Sequence, residues 1–201
     1  MDRDHFDRVL REFERDERLG IAGGIGYELD SEGRWRQRHG TGAGVWGAAR
    51  AYRRACLAEV LPLEERMGWD TLDLVKAETR GWNVRICYEI PFRHHRAEAE
   101  RDPSSYFRWR NQGEAARYMG YRWSYIVVRT LFRMCKDPAA LGIVHGYGAA
   151  ALRREPRCAD AAVRAYIRER QRLTHLPLRI REVFRPREEL ENLTPSERAA
   201  G

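Results

Sequence analysis

Asp70 and Asp73, three residues apart, follow a Gly68-Trp69 pair and open a short run that stops at Gly81-Trp82. A carboxylate held at a loop-to-helix junction can take a proton from a hydroxyl as a new bond forms, which is general-base work. The same residues also suit a structural task, Asp70 as an N-cap and Asp73 as a first-turn residue favourable to the helix dipole. Farther on, an alternating stretch ends in His94-His95-Arg96. One imidazole at a strand end can bind a divalent metal or a phosphate oxygen, and Arg96 can pair with phosphate. Adjacent surface histidines are the plainer alternative. No His-x-x-x-His or Asp-x-Asp lies nearby to complete a metal site.

Positioning these residues requires ordered elements on either side. Phe6, Val9, Leu10 and Phe13 recur at helical spacing, which predicts an amphipathic helix over residues 4–16. Leu19-Gly20-Ile21-Ala22-Gly23-Gly24-Ile25 reads as a short buried strand, and residues 30–47 as a long polar, glycine-rich loop. That loop lacks the lysine and hydroxyl of a phosphate-binding P-loop. Trp46 within it can stack on a sugar ring or simply join a core. Gly47 precedes a helix expected through Ala48, Tyr52, Ala55 and Val60, and a second helix is expected over about 71–80 with Gly81 as its C′ residue. Val84, Ile86, Tyr88, Ile90 and Phe92 keep a period of two, the mark of a strand. Past Asp102-Pro103 every segment reads helical, including a stripe at Tyr125, Val128, Leu131, Phe132 and Cys135 and a helix launched by Asp137-Pro138. Residues 179–201 read as a charged, flexible tail. The fold class expected is α/β followed by an all-helical region, with a cut near residue 100.

Bulk properties narrow the partners. The chain has 201 residues, 43% hydrophobic and 33% charged, enough for one domain and an appended helical piece. No run approaches the roughly 18 consecutive apolar residues of a spanning helix. Met1-Asp2-Arg3-Asp4 lacks the apolar stretch expected of a secretory signal. The four cysteines form no Cys-x-x-Cys pair, and reduced thiols in a cytoplasmic protein are the expectation. A net charge of +7 raises nucleic acid as a partner. The basic residues are interleaved with acids and accompany no nucleic-acid motif, so a surface facing anionic lipid or a sugar diphosphate is preferred.

Several ordered segments together resemble the family 2 glycosyltransferases of bacterial type. They are Leu19-Gly20-Ile21-Ala22-Gly23-Gly24, Gly47-Ala48, Tyr52-Arg53-Arg54 with Cys56, Gly68-Trp69-Asp70-Thr71-Leu72-Asp73, Lys76-Ala77, Gly81-Trp82 and His94-His95-Arg96, from about residue 4 to residue 175. The resemblance implies the acceptor-side part of a GT-A domain over residues 4–100 and a helical, membrane-associated region over 101–178. It implies inverting transfer from a nucleotide-sugar donor to a glycan or lipid-linked acceptor, with Asp70 as general base. Trp46, Gly47, Trp69 and Asp73 would lie on the acceptor side, His94 would help hold a divalent metal (Mn or Mg), and His95 and Arg96 would contact phosphate. Trp69 stands where the family usually has glutamate. The family's donor-binding βαβ region has no counterpart here, so the chain is expected to be a truncated enzyme or half of a split one. The alternative is a non-catalytic remnant or a module on the inner face of the cell membrane.

Overall fold

A computed structural model of the chain describes residues 3–29, 34–37, 44–95, 104–172 and 174. Arg96, Gly40–Ala43 and the expected tail over 179–201 lie outside the described residues. The architecture is mixed α/β and divides into two compact units. Met1–Pro62 and Lys76–Ala97 fall in the first, Leu63–Val75 and Glu98–Pro177 in the second.

The first unit begins with helix α1 (His5–Arg15) and strand β1 (Leu19–Leu29). Strands β2 (Trp35–Gln37) and β3 (Arg50–Tyr52) follow, then helix α2 (Arg54–Val60). Strand β4 (Asn83–His94) completes a four-stranded sheet. β1 is its centre. β2 and β3 pair antiparallel with its two ends, Leu29 opposite Trp35 and Gly23 opposite Arg50, while β4 runs parallel to it along the other edge. Val9 and Phe13 of α1 pack with Leu19, Ala22, Cys87 and Ile90 to form the core beneath the sheet.

β1 is longer than the short strand expected, and it brings order to part of the expected loop by pairing with Trp35–Gln37. The predicted helix from Gly47 onward is also revised. Gly47–Ala49 forms one 3-10 turn, Arg50–Tyr52 is a strand, and the helix starts only at Arg54. The reason is tertiary, since the free edge of β1 at Ile21–Gly23 captures these residues as a partner. In α1 the helix is as expected but its inward face differs. His5, Val9 and Phe13 are buried, whereas Phe6 and Leu10 are 54% and 56% exposed.

Backbone proximity sets the geometry of this sheet. A side chain on Gly24 would run into the carbonyl oxygen of Ile90, where the β1–β4 register slips from Gly24–Cys87 to Ile25–Pro91. That slip also breaks the expected alternation, burying Cys87 in place of Ile86. Burial pushes the Cys87 thiol up to about 11, with help from the charges of Glu12 and Glu89. The end of α1 is tied down by Arg53, whose Nε donates to Leu19 O at 2.9 Å and whose Nη2 donates to Asp16 O at 3.0 Å. The Asp16 carboxylate accepts from Arg85 at 2.8 Å, from Asn83 Nδ2 at 3.2 Å and from Arg18 N at 2.9 Å.

Helix α3 (Trp69–Thr79) belongs to both units, passing from the second to the first at Lys76. It starts one residue before Asp70, after Gly68 at φ +90°, and stops ahead of Gly81 at φ +83°, backbone angles that favour glycine. In the first unit the Lys76 ammonium is buried and donates to the carbonyls of Val60 and Pro62 at 3.4 and 3.0 Å.

The second unit holds α4 (Ser105–Tyr118), α5 (Trp123–Met134), α6 (Gly142–Leu152) and α7 (Ala161–Arg170). Ser104, Asp137 and Asp160 cap helix or 3-10 N-termini with their side chains. α4 and α6 meet backbone to backbone, because a Cβ on Gly113 would strike Ile143 O and one on Gly146 would strike Arg110 O. Leu72 and Val75 of α3 pack with Ala115, Met119, Cys158, Val163 and Ile167. Among the described residues no helix is long and apolar enough to cross a membrane.

Replacing Gly24 with Ala should destabilise the fold by about 1–3 kcal/mol, the usual cost of forcing extra volume into a packed site. Urea denaturation measures it, and an unchanged midpoint would show that β4 yields freely. Acid should act through Asp16. Desolvation opposes its charge, but the hydrogen bonds from Asn83 and Arg18 and the Arg85 charge outweigh it and lower the pKa. A carboxyl whose folded pKa is depressed contributes stability above its unfolded value, near 3.9, and loses it as pH falls through the folded pKa. Asp16→Asn should therefore cost about 1 kcal/mol at neutral pH, with the gap to the wild type closing on acidification below about pH 4.

Candidate functional site

Asp70 and His94 fall in different units, so each has its own surroundings. In the first unit, strands β1, β2 and β4 gather aromatic and imidazole groups where they end. Gly26 pairs with Phe92, Tyr27 with Arg93 and Glu28 with His94. Side chains alternate across a sheet, so Glu28, Phe92 and His94 share a face with the bare Gly26. Trp46 occupies the place a Gly26 side chain would take, its ring 5.6 Å from that of Phe92 and 4.7 Å from that of His94. The absence of a Cβ is what admits the indole. His94 Nδ1 is buried, makes no hydrogen bond, and lies 3.8 Å from Glu28 Oε1. On the opposite face the Arg93 guanidinium sits 5.5 Å from the Trp35 ring, which meets His95 edge-on at 5.1 Å. Trp35, Glu28 and Gly26 are members of this cluster that sequence reasoning missed. Glu28 lies just before the segment read as a loop and Trp35 within it, and only the strand register brings them beside the histidines.

His94 and Glu28 are two donors. Among the described residues no group of three or more His, Cys, Asp or Glu side chains could hold a metal ion. The set present does not fit a divalent metal by itself.

In the second unit, Trp69 and Asp70 are the first two residues of α3 and both are partly exposed. Asp70 Oδ1 accepts from Thr71 N at 2.9 Å, so the carboxylate belongs to the first helical turn and is not the cap that precedes it. Thr71 N and Leu72 N instead donate to Gly68 O at 3.1 and 3.0 Å. Asp73, almost a full turn on, is 0% exposed. Gly47, by contrast, belongs to the first unit, where it opens the 3-10 turn after Trp46.

Arg66 and Met67, just before Gly68, form one wall of a cleft of about 220 Å³ that Asn111, Glu114, Ala115 and Glu155 complete. Arg153 bridges its two carboxylates, donating from Nε to Glu155 at 2.8 Å and from Nη2 to Glu114 at 3.0 Å. The Arg66 guanidinium stacks 3.8 Å above the centroid of the Tyr118 ring. Tyr118 in turn donates its hydroxyl to Glu64 at 2.7 Å. The cleft thus presents an amide, a guanidinium and two carboxylates, groups that suit a ligand rich in hydroxyls. Its residues come from three separate stretches of chain, and no local motif announces them.

No family model, no curated protein and no solved structure matches the chain.

Desolvation, the hydrogen bond to Glu64 and the Glu64 charge push the Tyr118 phenol up to about 12. A phenol whose folded pKa is raised contributes stability that is fully present below its unfolded pKa, about 10. That stability goes as pH rises through about 12. Ultraviolet titration of the native protein against Tyr118→Phe should assign the missing late-ionising phenol to this residue. If the variant loses a phenol that ionises near pH 10, the Glu64 contact is not held in solution.

Proposed function

We propose that the chain serves sugar transfer as the acceptor-side portion of a GT-A-type glycosyltransferase, an α/β part followed by a helical region. The observation carrying this reading is the part-exposed Asp70 carboxylate on the first turn of α3, which follows directly from the Arg66-Met67 wall of a hydroxyl-compatible cleft. The ordered motif matches from Leu19 to Arg96 support it from the sequence side.

In the inverting reaction the acceptor hydroxyl oxygen attacks the anomeric carbon of a nucleotide sugar. The bond from that carbon to the diphosphate breaks with its electron pair leaving on the diphosphate. Asp70 takes the hydroxyl proton as the new bond forms. Trp69 and the cleft lie on the acceptor side of this assignment, as do Trp46 and Gly47 by resemblance. Asp73 is buried and takes a supporting place within α3. His94, with His95 and Arg96 after it, is assigned to the departing diphosphate. A divalent metal, Mn or Mg, belongs to this reading only with donors beyond His94 and Glu28, supplied by a donor-binding half, and no step is assigned to it here. The acceptor is a glycan or a lipid-linked saccharide, and the place of work is the inner surface of the cell membrane.

The test is transfer from nucleotide-sugar donors to glycan acceptors, with a donor-binding half supplied. Asp70→Asn should lower turnover by about 10²–10⁴-fold, the usual contribution of a general base. The unfolding midpoint should hardly move, since the replacement keeps the side-chain oxygen that receives Thr71 N. Turnover close to that of the wild type would remove Asp70 from the chemistry. In the isolated chain, micromolar binding of uridine or guanosine diphosphate sugars would reveal a donor site within these residues and argue against the division of labour proposed here.

A further inference from the structure

We infer that the cleft walled by Arg66 and Met67 binds a sugar residue that carries a carboxylate, a hexuronic acid, with the Arg66 guanidinium receiving that carboxylate. The inference deepens the acceptor-side reading and rests on it only in calling this sugar an acceptor. The charge of the lining carries it. Arg153 meets Glu114 at 3.0 Å and Glu155 at 2.8 Å, and Arg110 also reaches Glu114 at 3.3 Å. Hydrogen bonds to Glu155 and Glu114 raise the Arg153 pKa. The acids of the cleft are therefore already matched by cations of the same unit. Arg66 is not matched in this way. Its guanidinium lies 3.8 Å from the centroid of the Tyr118 ring, and among the described residues its side chain makes no ion pair or hydrogen bond. Glu64, at the hydroxyl end of that ring, accepts from Tyr118 at 2.7 Å and is not part of the lining.

Stacking occupies the face of a guanidinium and leaves its N–H groups in the plane, where they fit the two oxygens of a carboxylate. The ring also fixes that plane, so less freedom is lost when the anion arrives. A cationic ligand would meet Arg66 and find both carboxylates engaged. A neutral sugar would leave the Arg66 fork unused. The remaining lining suits the rest of a sugar. Asn111 offers an amide that can donate and accept, and the oxygens of Glu114 and Glu155 can accept from hydroxyls. Met67 and Ala115 supply an apolar patch for the C–H face of a ring. The volume of about 220 Å³ lies below the roughly 300–1,000 Å³ of sites for drug-sized ligands, which suits one ring and not a stretch of polymer.

The full chain with methyl-labelled methionine tests this by NMR titration. Methyl β-glucuronide should shift the Met67 resonance, identified by its loss in Met67→Leu. Methyl β-glucoside should bind about fivefold more weakly or worse, as expected for a charge-assisted pair at an exposed site. Arg66→Gln should bring the glucuronide down to the affinity of the glucoside and leave the glucoside unchanged, and high salt should act in the same direction. Arg66→Lys, which keeps the charge but loses the fork, should recover only part of the difference. Arg66 is exposed and its side chain makes only the ring contact, so both variants should unfold close to the wild-type midpoint. Equal binding of the two glycosides, or no binding of either, would overturn the inference. So would glucuronide binding that is indifferent to Arg66→Gln or leaves Met67 unshifted. A glucose phosphate that binds as tightly as the glucuronide would also overturn it, by assigning the fork to phosphate. If Asp70→Asn keeps full turnover while the glucuronide results hold, the transfer reading fails and the sugar site stands. Loss of turnover in Asp70→Asn with no effect of Arg66→Gln on either glycoside sinks the site alone.

Discussion

The first unit depends on how closely other backbone approaches β1. Strands normally hold their neighbours at the spacing of the hydrogen-bond ladder, with side chains filling the layers above and below. β1 has removed its own side chains at the points of closest approach. Without a Cβ on Gly24 the carbonyl of Ile90 can press against the strand, and without one on Gly26 the Trp46 indole can lie on the sheet. Most of what surrounds β1 follows from these approaches. β4 must bulge where Ile90 bends inward, which puts Cys87 inside. Trp46 must lie beside Phe92 and His94. The cost is a strand with little intrinsic preference for being one. It is met by pairing on both edges and by Arg53, which fastens the end of α1 to the start of β1.

The features readable in the sequence were those specified locally. Gly81 stops α3 because the turn needs a positive φ, and Asp137 caps the turn that follows it through the amide of Ala139. Such signals need only a few residues of chain. β3 could not be read in this way. Ala48 to Tyr52 carry no strand pattern and take that form only because the edge of β1 at Ile21–Gly23 is vacant beside them. Tertiary pairing overrides weak local preference in this segment. His5 was missed for a related reason. Phe6 and Leu10 match a helical hydrophobic repeat, yet the sheet turns α1 so that an imidazole faces inward beside Gly24 and Phe92. The cleft in the second unit was illegible because Arg66, Asn111 and Glu155 are remote in sequence.

In the second unit the same device joins two helices. Gly113 against Ile143 and Gly146 against Arg110 draw α4 and α6 together at the level of the backbone, so little room is left between them for large side chains. α5 meets this pair through Ile126 and Thr130, with Trp123 against the Tyr147 ring and Arg129 donating to Gln112 at 2.8 Å. A helix packed on one side keeps an outward surface. In this chain that surface carries Val128, Leu131, Phe132 and Cys135. Stability and surface chemistry are therefore assigned to different sides of one element, and changes on the outer side can alter partners with little effect on the core.

Asp70 and Asp73 show how one helix can give two like residues different tasks. Both are aspartates, three positions apart, close to the same positive helix end. Asp73 is wholly inside, where a charge is costly unless surrounding groups receive it, and so its identity is bound up with the packing of α3. Asp70, at the edge of the first turn, spends one oxygen on Thr71 N and keeps contact with solvent. Under the proposed reading it is Asp70, and not Asp73, that an incoming hydroxyl can reach without opening the core. The first turn holds its carboxylate still, which under the proposed reading prepares it for an incoming hydroxyl. Gly68 is what fixes this placement. By taking a φ of +90° it starts the helix abruptly after Met67, so the wall of the cleft and the carboxylate follow one another within a few residues of rigid chain.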